Sequence, residues 1–415
     1  MGIVYADNGE LDKALTHYQQ ALDIYREIGD PLGEASALAN MGATYANKGE
    51  LNKALTHHQQ ALDIYRKIGD PLGEATVLYN IGIVYADKGE LDKALTHYQQ
   101  ALDIHHKIGN PLGEASDLGN MGVVYADKGE LDKALTHHQQ ALDIYRKIGD
   151  PPGETNALYN MGLVYGAKGE LDKALTHHQQ ALDICRKIGD TLGEANALYS
   201  MGNALYNMGA VYGAKGELDK ALTHSQQALD IYRKIGDPLG EANTLNNMGL
   251  VYGAKGELDK AITHYQHALD IHHKIGNPLG EASDLNNMGA IYGDKGELDK
   301  ALTHYQQALD IHHKIGNPLG EASDLGNMGL VYADKGELDK ALTHYQQALD
   351  ICRKIGYPLG EANNLSNMGF ALIQKRMLPK ARDCFRASYE LYLKLGVSPD
   401  SLAKVKKALD ELVDG

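Results

Sequence analysis

The chain has 415 residues, of which 43% are hydrophobic and 23% charged, with no tryptophan and a formal net charge of −15. An acidic surface repels the phosphates of nucleic acids and of anionic membranes, so neither is expected as the main partner. The sequence holds no apolar run long enough to span a bilayer, and Met1-Gly2 leads into repeated sequence without a signal peptide. The three cysteines (Cys185, Cys352 and Cys384) form no disulfide or metal-ligand pattern, which favours a reducing, cytoplasmic location.

The sequence repeats itself about every 40 residues. The tripeptide Gly-Glu-Leu begins at Gly9, Gly49, Gly89, Gly129, Gly169, Gly216, Gly256, Gly296 and Gly336. A degenerate copy, Arg376-Met377-Leu378, follows the last of these, and one step alone is longer, between Gly169 and Gly216. Such self-similarity predicts a stack of equivalent supersecondary units.

In chain order, the repeats divide the sequence into six segments. These are a truncated first repeat (1–29), repeats two to five (30–189), a sixth repeat with a seven-residue insertion (190–236), repeats seven to nine (237–356), a divergent last repeat (357–397) and a capping helix (398–415). Because Met1 aligns with the middle of a helix in later repeats, we expect a truncated array with an uncapped N-terminal end that can self-associate.

Each repeat predicts two helices, as the unit from Asp150 to Gly189 illustrates. Asp150 is a typical N-cap and Pro151 suits the first helical position. Apolar residues of the first helix then recur at offsets 0, 3, 4 and 7, at Leu158, Met161, Gly162 and Tyr165. The same periodicity marks the second helix, at Leu171, Ala174, Leu175, His178, Ala181, Leu182, Cys185 and Ile188. One hairpin cannot bury both apolar faces, so the units must stack.

The pattern Leu158-x-x-Met161-Gly162-x-x-Tyr165, followed by Ala174-x-x-x-His178-x-x-Ala181, resembles the tetratricopeptide repeat signature. The match covers almost the whole chain. The period of 40 residues is longer than that of the usual tetratricopeptide repeat. Repeats of similar length occur in spindle-orientation adaptors of the Leu-Gly-Asn type and in kinesin light chains. The resemblance implies an all-α, right-handed superhelical solenoid of about ten antiparallel hairpins, closed by a capping helix with Leu402, Val405, Leu409 and Leu412 facing inward.

The seven-residue stutter ALYSMGNALYNMG lies in the sixth repeat. Gly209 is followed at the regular distance by Tyr212, so Ala197–Asn203 is the addition. Seven residues are close to two helical turns, so the insertion is expected either to lengthen the first helix of this repeat or to unravel partly into the preceding connection.

No catalytic or cofactor motif interrupts the repeats, which predicts a protein without enzymatic activity or cofactor. The 19 histidines are the main candidates for metal binding, as in the recurrent Thr-His at His57, His97 and His137. Equivalent residues on stacked hairpins lie roughly 10 Å apart, too far to converge on one ion. We therefore expect no metal site. A metal-responsive, histidine-rich protein is the least favoured of the three functions that we consider.

One asparagine recurs in every first helix, two residues before the glycine. These nine residues, the asparagine ladder, are Asn40, Asn80, Asn120, Asn160, Asn207, Asn247, Asn287, Asn327 and Asn367. In tetratricopeptide proteins the first helices line the concave face, so the resemblance implies a groove that binds an extended peptide through amide side chains. The alternative is that each asparagine bonds the neighbouring repeat or caps a turn, and both roles are compatible.

Around the ladder, further residues are expected to line the groove: Tyr79, Tyr159, Tyr206, Leu163, Leu250 and Leu330. Domains that clamp a chaperone's C-terminal carboxylates carry lysine on the first helices beside the asparagine, whereas this chain has Ala39, Tyr79 and Gly119 there. The sequence therefore predicts a protein-interaction scaffold that binds an extended peptide or a helix of another partner. The alternative function is the sensor or regulatory arm of a larger signalling protein whose effector domain lies upstream.

Overall fold

The computed structural model describes residues 1–212, 215–396 and 399–413, and every regular element within them is an α-helix. The chain forms two compact units, Met1–Ala204 and Leu205–Gly415. The prediction of an all-α solenoid of helical hairpins is confirmed. No helix in the described ranges combines the length and the apolar character that crossing a membrane requires.

Five hairpins make up most of the first unit. Their helices are α1 (Gly2–Asp7), α2 (Leu11–Ile28), α3 (Pro31–Asn47), α4 (Leu51–Ile68), α5 (Pro71–Asp87), α6 (Leu91–Ile108), α7 (Pro111–Asp127), α8 (Leu131–Ile148), α9 (Pro151–Ala167) and α10 (Leu171–Ile188). Helix α11 (Thr191–Tyr212) follows and carries the boundary between the units.

The second unit continues the same succession of helices and ends on a single one. Its helices are α12 (Lys215–Ile235), α13 (Pro238–Ala254), α14 (Leu258–Lys274), α15 (Pro278–Asp294), α16 (Leu298–Ile315), α17 (Pro318–Asp334), α18 (Leu338–Ile355), α19 (Pro358–Gln374), α20 (Leu378–Leu395) and α21 (Pro399–Val413).

Most first helices begin at a side-chain cap. Asp30, for example, accepts hydrogen bonds from the backbone N–H groups of Leu32 and Gly33 at 3.1 Å. Asp150 is the N-cap residue of α9, as predicted, but its side chain accepts no such bond. Pro152 stands where other repeats have leucine, and its nitrogen has no hydrogen to donate.

Each hairpin closes around small residues at the crossing of its two helices. In α9 and α10, Leu158, Met161, Ala174 and Ala181 are buried as predicted. A Cβ added to Gly162 would lie 2.5 Å from the ring of His178, so only glycine permits this close approach. Two further features differ from the predicted hairpin.

The first is Ile188, which the helical pattern assigns to the core and which is 38% exposed. It lies in the last turn of α10, where the chain already turns toward the next repeat. The second is an ion pair between successive repeats, which the sequence analysis did not predict. Lys255 Nζ donates to Asp219 Oδ1 of the preceding repeat at 2.6 Å, and the same link, 36 residues apart, recurs along both units.

Successive hairpins pack through their first helices as well as through each second helix and the following first helix. Helix α3 contacts α5 and α7 contacts α9 in the first unit, and α13, α15, α17 and α19 contact one another in order in the second. The first helices therefore form a layer, seen from α13 to α19 in the second unit and in the pairs α3–α5 and α7–α9 of the first. This layer carries the asparagine ladder.

The insertion is accommodated as additional helix. Helix α11 has 22 residues, whereas the first helices of the other full repeats have 17, and it still begins one residue after Asp190. Asp190 caps it through the N–H of Gly193 at 2.9 Å. Because seven residues are nearly two turns, the helix keeps its buried face: Leu198, Met201 and Leu205 all lie in the core.

Helix α21 covers the end of the second unit. Val405 is buried, and Leu402, Leu409 and Leu412 pack half-buried against the cluster formed by the last hairpin. Lys404 is exposed, and its ammonium group lies over the ring of Phe370, 4.9 Å from the ring centroid.

Candidate functional site: the asparagine ladder and its cleft

The nine asparagines of the ladder occupy one register position of the first helices. Seven of them are half-buried, Asn207 is exposed and Asn247 is only 3% exposed. A half-buried amide at a helix surface retains access to solvent while its orientation is restricted by its neighbours. The position therefore suits either role that the sequence suggests.

Three ladder asparagines bond the neighbouring repeat. Asn120 Nδ2 donates to Tyr79 Oη at 3.0 Å and to the carbonyl of Ser116 at 2.9 Å. Asn287 and Asn327 donate to the Oδ1 atoms of Asn246 and Asn286 at 3.5 and 3.4 Å. At these three repeats the amide helps to hold the stack together.

The other six ladder amides form no hydrogen bond with any described residue: Asn40, Asn80, Asn160, Asn207, Asn247 and Asn367. Asn247 is the extreme case, since both its Nδ2 and its Oδ1 are buried without a partner in the described ranges. An unpaired buried amide loses its hydrogen bonds with water on folding, which costs about 1–3 kcal/mol. The other five amides keep access to solvent and are available to a ligand.

The residues expected to line the groove are placed unequally. Leu163 and Leu330 are 48% and 43% exposed, whereas Leu250, Tyr79, Tyr159 and Tyr206 are half-buried. Two of the tyrosines already have hydroxyl partners: Tyr79 accepts from Asn120, and Tyr159 accepts from Ser200 Oγ at 3.3 Å. Burial raises the pKa of Tyr79. Their role in a groove remains a prediction.

A cleft of about 500 Å³ opens at the end of the second unit. Helices α17 and α19 contribute the ladder residues Asn327 and Asn367 together with Leu330, while α20 contributes Tyr392 and α21 contributes Lys404. The cleft thus brings together two ladder amides and one groove-lining leucine.

A second set of polar residues, which the sequence reasoning missed, lies beneath the ladder. Three histidines of the second helices pair with buried aspartates of the next first helix, with Nδ1 to Oδ2 distances of 2.6 to 2.7 Å. The pairs are His105–Asp117, His272–Asp284 and His312–Asp324. Burial raises the pKa of all three aspartates, that of Asp117 to about 6.

Two of these pairs extend to the ladder. Asn246 Nδ2 donates to Asp284 Oδ1 at 2.5 Å while its own Oδ1 accepts from Asn287. Asn286 links Asp324 and Asn327 in the same way, with 2.6 Å to Asp324 Oδ1. The chain of bonds therefore runs from a buried histidine through the aspartate and an asparagine of the preceding first helix to a ladder amide on the same helix as the aspartate.

Co-substitution between repeats is the signal that would have identified these pairs. Wherever the second helix carries histidine at the position of His105, the residue twelve positions later is aspartate. Repeats with tyrosine or cysteine at that position have alanine, valine, threonine or asparagine instead, such as Tyr145 with Ala157. An aspartate thus appears only opposite an imidazole; in the last second helix, the equivalent residue Tyr392 is followed at this distance by Lys404 of the capping helix.

The remaining histidines have structural surroundings. His177 Nδ1 bonds the carbonyl of Lys173 at 2.8 Å, and its ring lies 4.9 Å from that of Tyr165. His58, His138 and His178 are buried, and burial lowers the pKa of each to about 4. Within the described part of the chain, no three His, Cys, Asp or Glu side chains are grouped as metal ligands would be.

The fold is similar to solved tetratricopeptide-type structures of low sequence identity. The apo form of RapI aligns with 87% of this chain and 98% of its own at 15% identity, with a TM-score of 0.62. A signal transduction ATPase with a tetratricopeptide repeat sensor, PH0952 from Pyrococcus horikoshii, aligns over 90% of this chain and 55% of its own at 18% identity, with a TM-score of 0.60. The apo form of the quorum sensor NprR from B. thuringiensis aligns over 84% and 99% at 18% identity, with a TM-score of 0.56.

Sequence comparison gives no match among curated proteins. It does match the family described as "Tetratricopeptide repeat", at residues 1–67, 73–147, 154–206, 200–274, 280–354 and 321–394. These segments extend over both units and cover well over half of the chain. Together with the hairpin architecture, they show that the chain belongs to the tetratricopeptide repeat family.

Proposed function

We propose that this protein is a non-enzymatic interaction scaffold whose asparagine ladder binds an extended peptide segment of a partner protein. The observation that carries the proposal is the set of five accessible ladder amides without a hydrogen-bond partner among the described residues: Asn40, Asn80, Asn160, Asn207 and Asn367. An amide side chain both donates and accepts, so a row of them can bond the N–H and C=O groups of a peptide backbone irrespective of its sequence.

Neighbouring groups supply the apolar contacts that such a peptide needs. Leu163 and Leu330 each lie one helical turn after a ladder asparagine and are largely exposed. Apolar anchors beside backbone-binding amides are typical of grooves that bind extended peptides. The net charge of −15 favours a partner segment with basic residues over most of its length.

The test uses a degenerate pool of N-acetylated nonapeptides and the immobilised full chain. Peptide retained by the wild-type protein is compared with that retained by a variant in which five free, accessible ladder residues become alanine: Asn40, Asn80, Asn160, Asn207 and Asn367. Alanine favours the helix more than asparagine does, so the variant is expected to fold. Its melting curve checks this directly.

Loss of most retention in the five-residue variant supports the proposal, and undiminished retention contradicts it. The matched control replaces exposed amides of the second helices, Gln60, Gln100 and Gln140, by alanine. These substitutions remove amide groups from another face and are expected to leave retention unchanged.

A second candidate function is the sensor arm of a larger signalling protein. The similarity to PH0952, described as an ATPase with a tetratricopeptide repeat sensor, favours it, because this chain aligns with 55% of that protein. Genomic sequence upstream of the Met1 codon tests it. In-frame repeats joined to an effector domain support the sensor arm, and an in-frame stop codon contradicts it.

A further inference from the structure

A pair of rings recurs between the two helices of a repeat. A tyrosine near the end of the first helix packs on a histidine of the second, with ring centroids 4.8 to 5.2 Å apart in eight of the described repeats, as in Tyr85 with His97. A lysine of the second helix lies over the same tyrosine, and Lys93 Nζ is 5.2 Å from the centroid of Tyr85. The two rings line a cleft between successive second helices, which has a volume of about 420 Å³ at Tyr85.

The last repeat lacks both rings. Leu372 stands at the position of Tyr85 and Cys384 at that of His97. The equivalent cleft, which we call the α18–α20 cleft, has a volume of about 700 Å³. As in the smaller cleft, the preceding second helix contributes a leucine, a threonine and two glutamines, here Leu342, Thr343, Gln346 and Gln347. The walls are thus retained while the two rings are replaced by smaller side chains.

The residue one turn before the missing tyrosine is also less covered in the last repeat. Ile81, which precedes Tyr85, is 2% exposed, and Met328 in the ninth repeat is 4% exposed. Their equivalent Met368 is half-buried and lines the α18–α20 cleft together with Leu342, Leu372 and Met377. Covering this apolar surface is favourable, and methionine sulfur makes favourable contacts with aromatic rings in particular.

Lys380 lacks both of the partners that its equivalents have. In the third repeat, Lys93 lies over the ring of Tyr85 and pairs with Glu90 Oε2 at 2.5 Å. The last repeat has leucine in place of that tyrosine and methionine in place of that glutamate. Lys380 lines the α18–α20 cleft and forms no ion pair with a described carboxylate. Its ammonium group can therefore lie over a ring that a ligand supplies.

The charges that line the α18–α20 cleft cancel. Lys375 bonds Asp339, and Lys380 and Asp383 lie one turn apart on α20. A neutral ligand is therefore favoured over an ion. Gln347 is exposed and forms no hydrogen bond with a described residue, so its amide is available to a hydroxyl group of the ligand.

We propose that the α18–α20 cleft binds a small neutral aromatic molecule, whose ring takes the place that Tyr85 and its equivalents fill in other repeats and lies against Lys380. The other repeats indicate the class of ligand, because the same walls hold a phenol ring beside a lysine there. A volume of about 700 Å³ falls within the range of small-molecule sites. No ladder residue lines this cleft, so the inference is independent of the proposed function.

Equilibrium dialysis of the full chain against 4-methylphenol, the analogue of the tyrosine side chain, measures the amount of ligand bound. The wild type is expected to bind it saturably, at one site per chain. 4-Methylcyclohexanol has a similar size but no aromatic face, so it is expected to bind about three-fold more weakly. Equal binding of the two compounds would overturn the assignment of an aromatic ligand.

Variants that restore the ring pair test the location of the site. Leu372→Tyr combined with Cys384→His recreates the residues of the other repeats and is expected to abolish saturable binding. Cys384→His alone changes only a half-buried position and is expected to weaken binding, which keeps the test available if the double variant does not fold. The inference is overturned if the wild type shows no saturable binding, or if variants with wild-type melting curves bind as the wild type does.

The opposite exchange in an earlier repeat is the matched control. Tyr292→Leu combined with His304→Cys removes the ring pair between α15 and α16 and is expected to add a second site for 4-methylphenol. This site should be the weaker of the two, because Lys300 keeps its ion pair with Glu297. An unchanged amount of bound ligand in the folded variant would show that the absence of the rings does not create a site, and would contradict the inference.

Discussion

His105 and Asp117 form a buried pair across two successive hairpins, with Nδ1 of the histidine 2.6 Å from Oδ2 of the aspartate. One side chain comes from helix α6 and the other from α7, and neither is more than marginally exposed. Asp117 Oδ1 has no described partner, so the imidazole is its main compensation for burial. The pair replaces the tyrosine and alanine found at Tyr145 and Ala157.

The pair should therefore behave as a unit in stability measurements. Asp117→Ala leaves a buried imidazole without its partner, and His105→Tyr leaves a buried carboxylate without its partner. Each substitution is therefore expected to lower the free energy of unfolding by about 3 kcal/mol. The double variant recreates the tyrosine–alanine combination of the next repeat and is expected to recover most of the loss. Additive losses in a double-mutant cycle by urea denaturation would contradict this coupling.

Three of the buried histidines of the first unit predict an acid-sensitive stability. Burial lowers the folded-state pKa of His58, His138 and His178 to about 4, whereas an unfolded histidine titrates near 6.5. The unfolded chain therefore binds more protons between these values. Stability is fully present above pH 6.5 and falls as the pH drops toward 4, by up to about 3 kcal/mol per histidine.

Replacing these histidines by tyrosine tests that pH dependence. Tyr98 and Tyr265 occupy the equivalent position in other repeats and are buried there, so the fold already accommodates the larger ring. The triple variant is expected to lose less stability between pH 6.5 and 4.5 than the wild type in thermal melts. Equal losses for both proteins would show that these histidines do not determine the acid response.

Two glycines of helix α7 are expected to respond oppositely to alanine. A Cβ on Gly119 would meet no atom within 4 Å, so Gly119→Ala should stabilise the helix by about 1 kcal/mol. A Cβ on Gly122 would lie 2.6 Å from the ring of His138, and Gly122→Ala should cost about 1–3 kcal/mol. Chemical denaturation measures both, and a stabilising Gly122→Ala would disprove the close packing.

Arg376 is the one non-glycine residue with positive φ, 59°, among the described residues. It stands where the preceding repeat has Gly336, with φ 76°. Because a side chain in the left-handed region is strained, Arg376→Gly is expected to raise the free energy of unfolding by up to about 1 kcal/mol. Gly336→Arg is the reciprocal control and should lower it; a destabilising Arg376→Gly would show that the arginine side chain matters more than the strain.

The repetition of the sequence explains why so much of the fold could be predicted. Each helix boundary recurs many times with its own cap, as at Asp30 before Pro31 and at the αL residue Gly149 after α8. The apolar periodicity likewise identified buried residues such as Leu158 and Ala174. The missing capping bond at Asp150 and the exposure of Ile188 have local causes, a second proline and a position in the last helical turn.

Apart from the alternative that ladder asparagines bond the neighbouring repeat, contacts between repeats were not predicted, because they depend on the register in which hairpins stack. The partner of Asp284 lies 12 residues away in α14 and its other partner, Asn246, lies 38 residues away in α13. Neither separation is one at which the periodicity of a single helix predicts a contact. For the same reason, the helical pattern showed that the ladder amides share a position but not which of them are already paired.

Isothermal titration calorimetry with the most strongly retained peptide tests the central claim most directly. The wild-type protein is compared with the variant that replaces Asn40, Asn80, Asn160, Asn207 and Asn367 by alanine and with the control that replaces Gln60, Gln100 and Gln140. We predict that the ladder variant binds at least about ten-fold more weakly while the control binds as the wild type does. Equal affinity for the wild type and a correctly folded ladder variant would contradict the account.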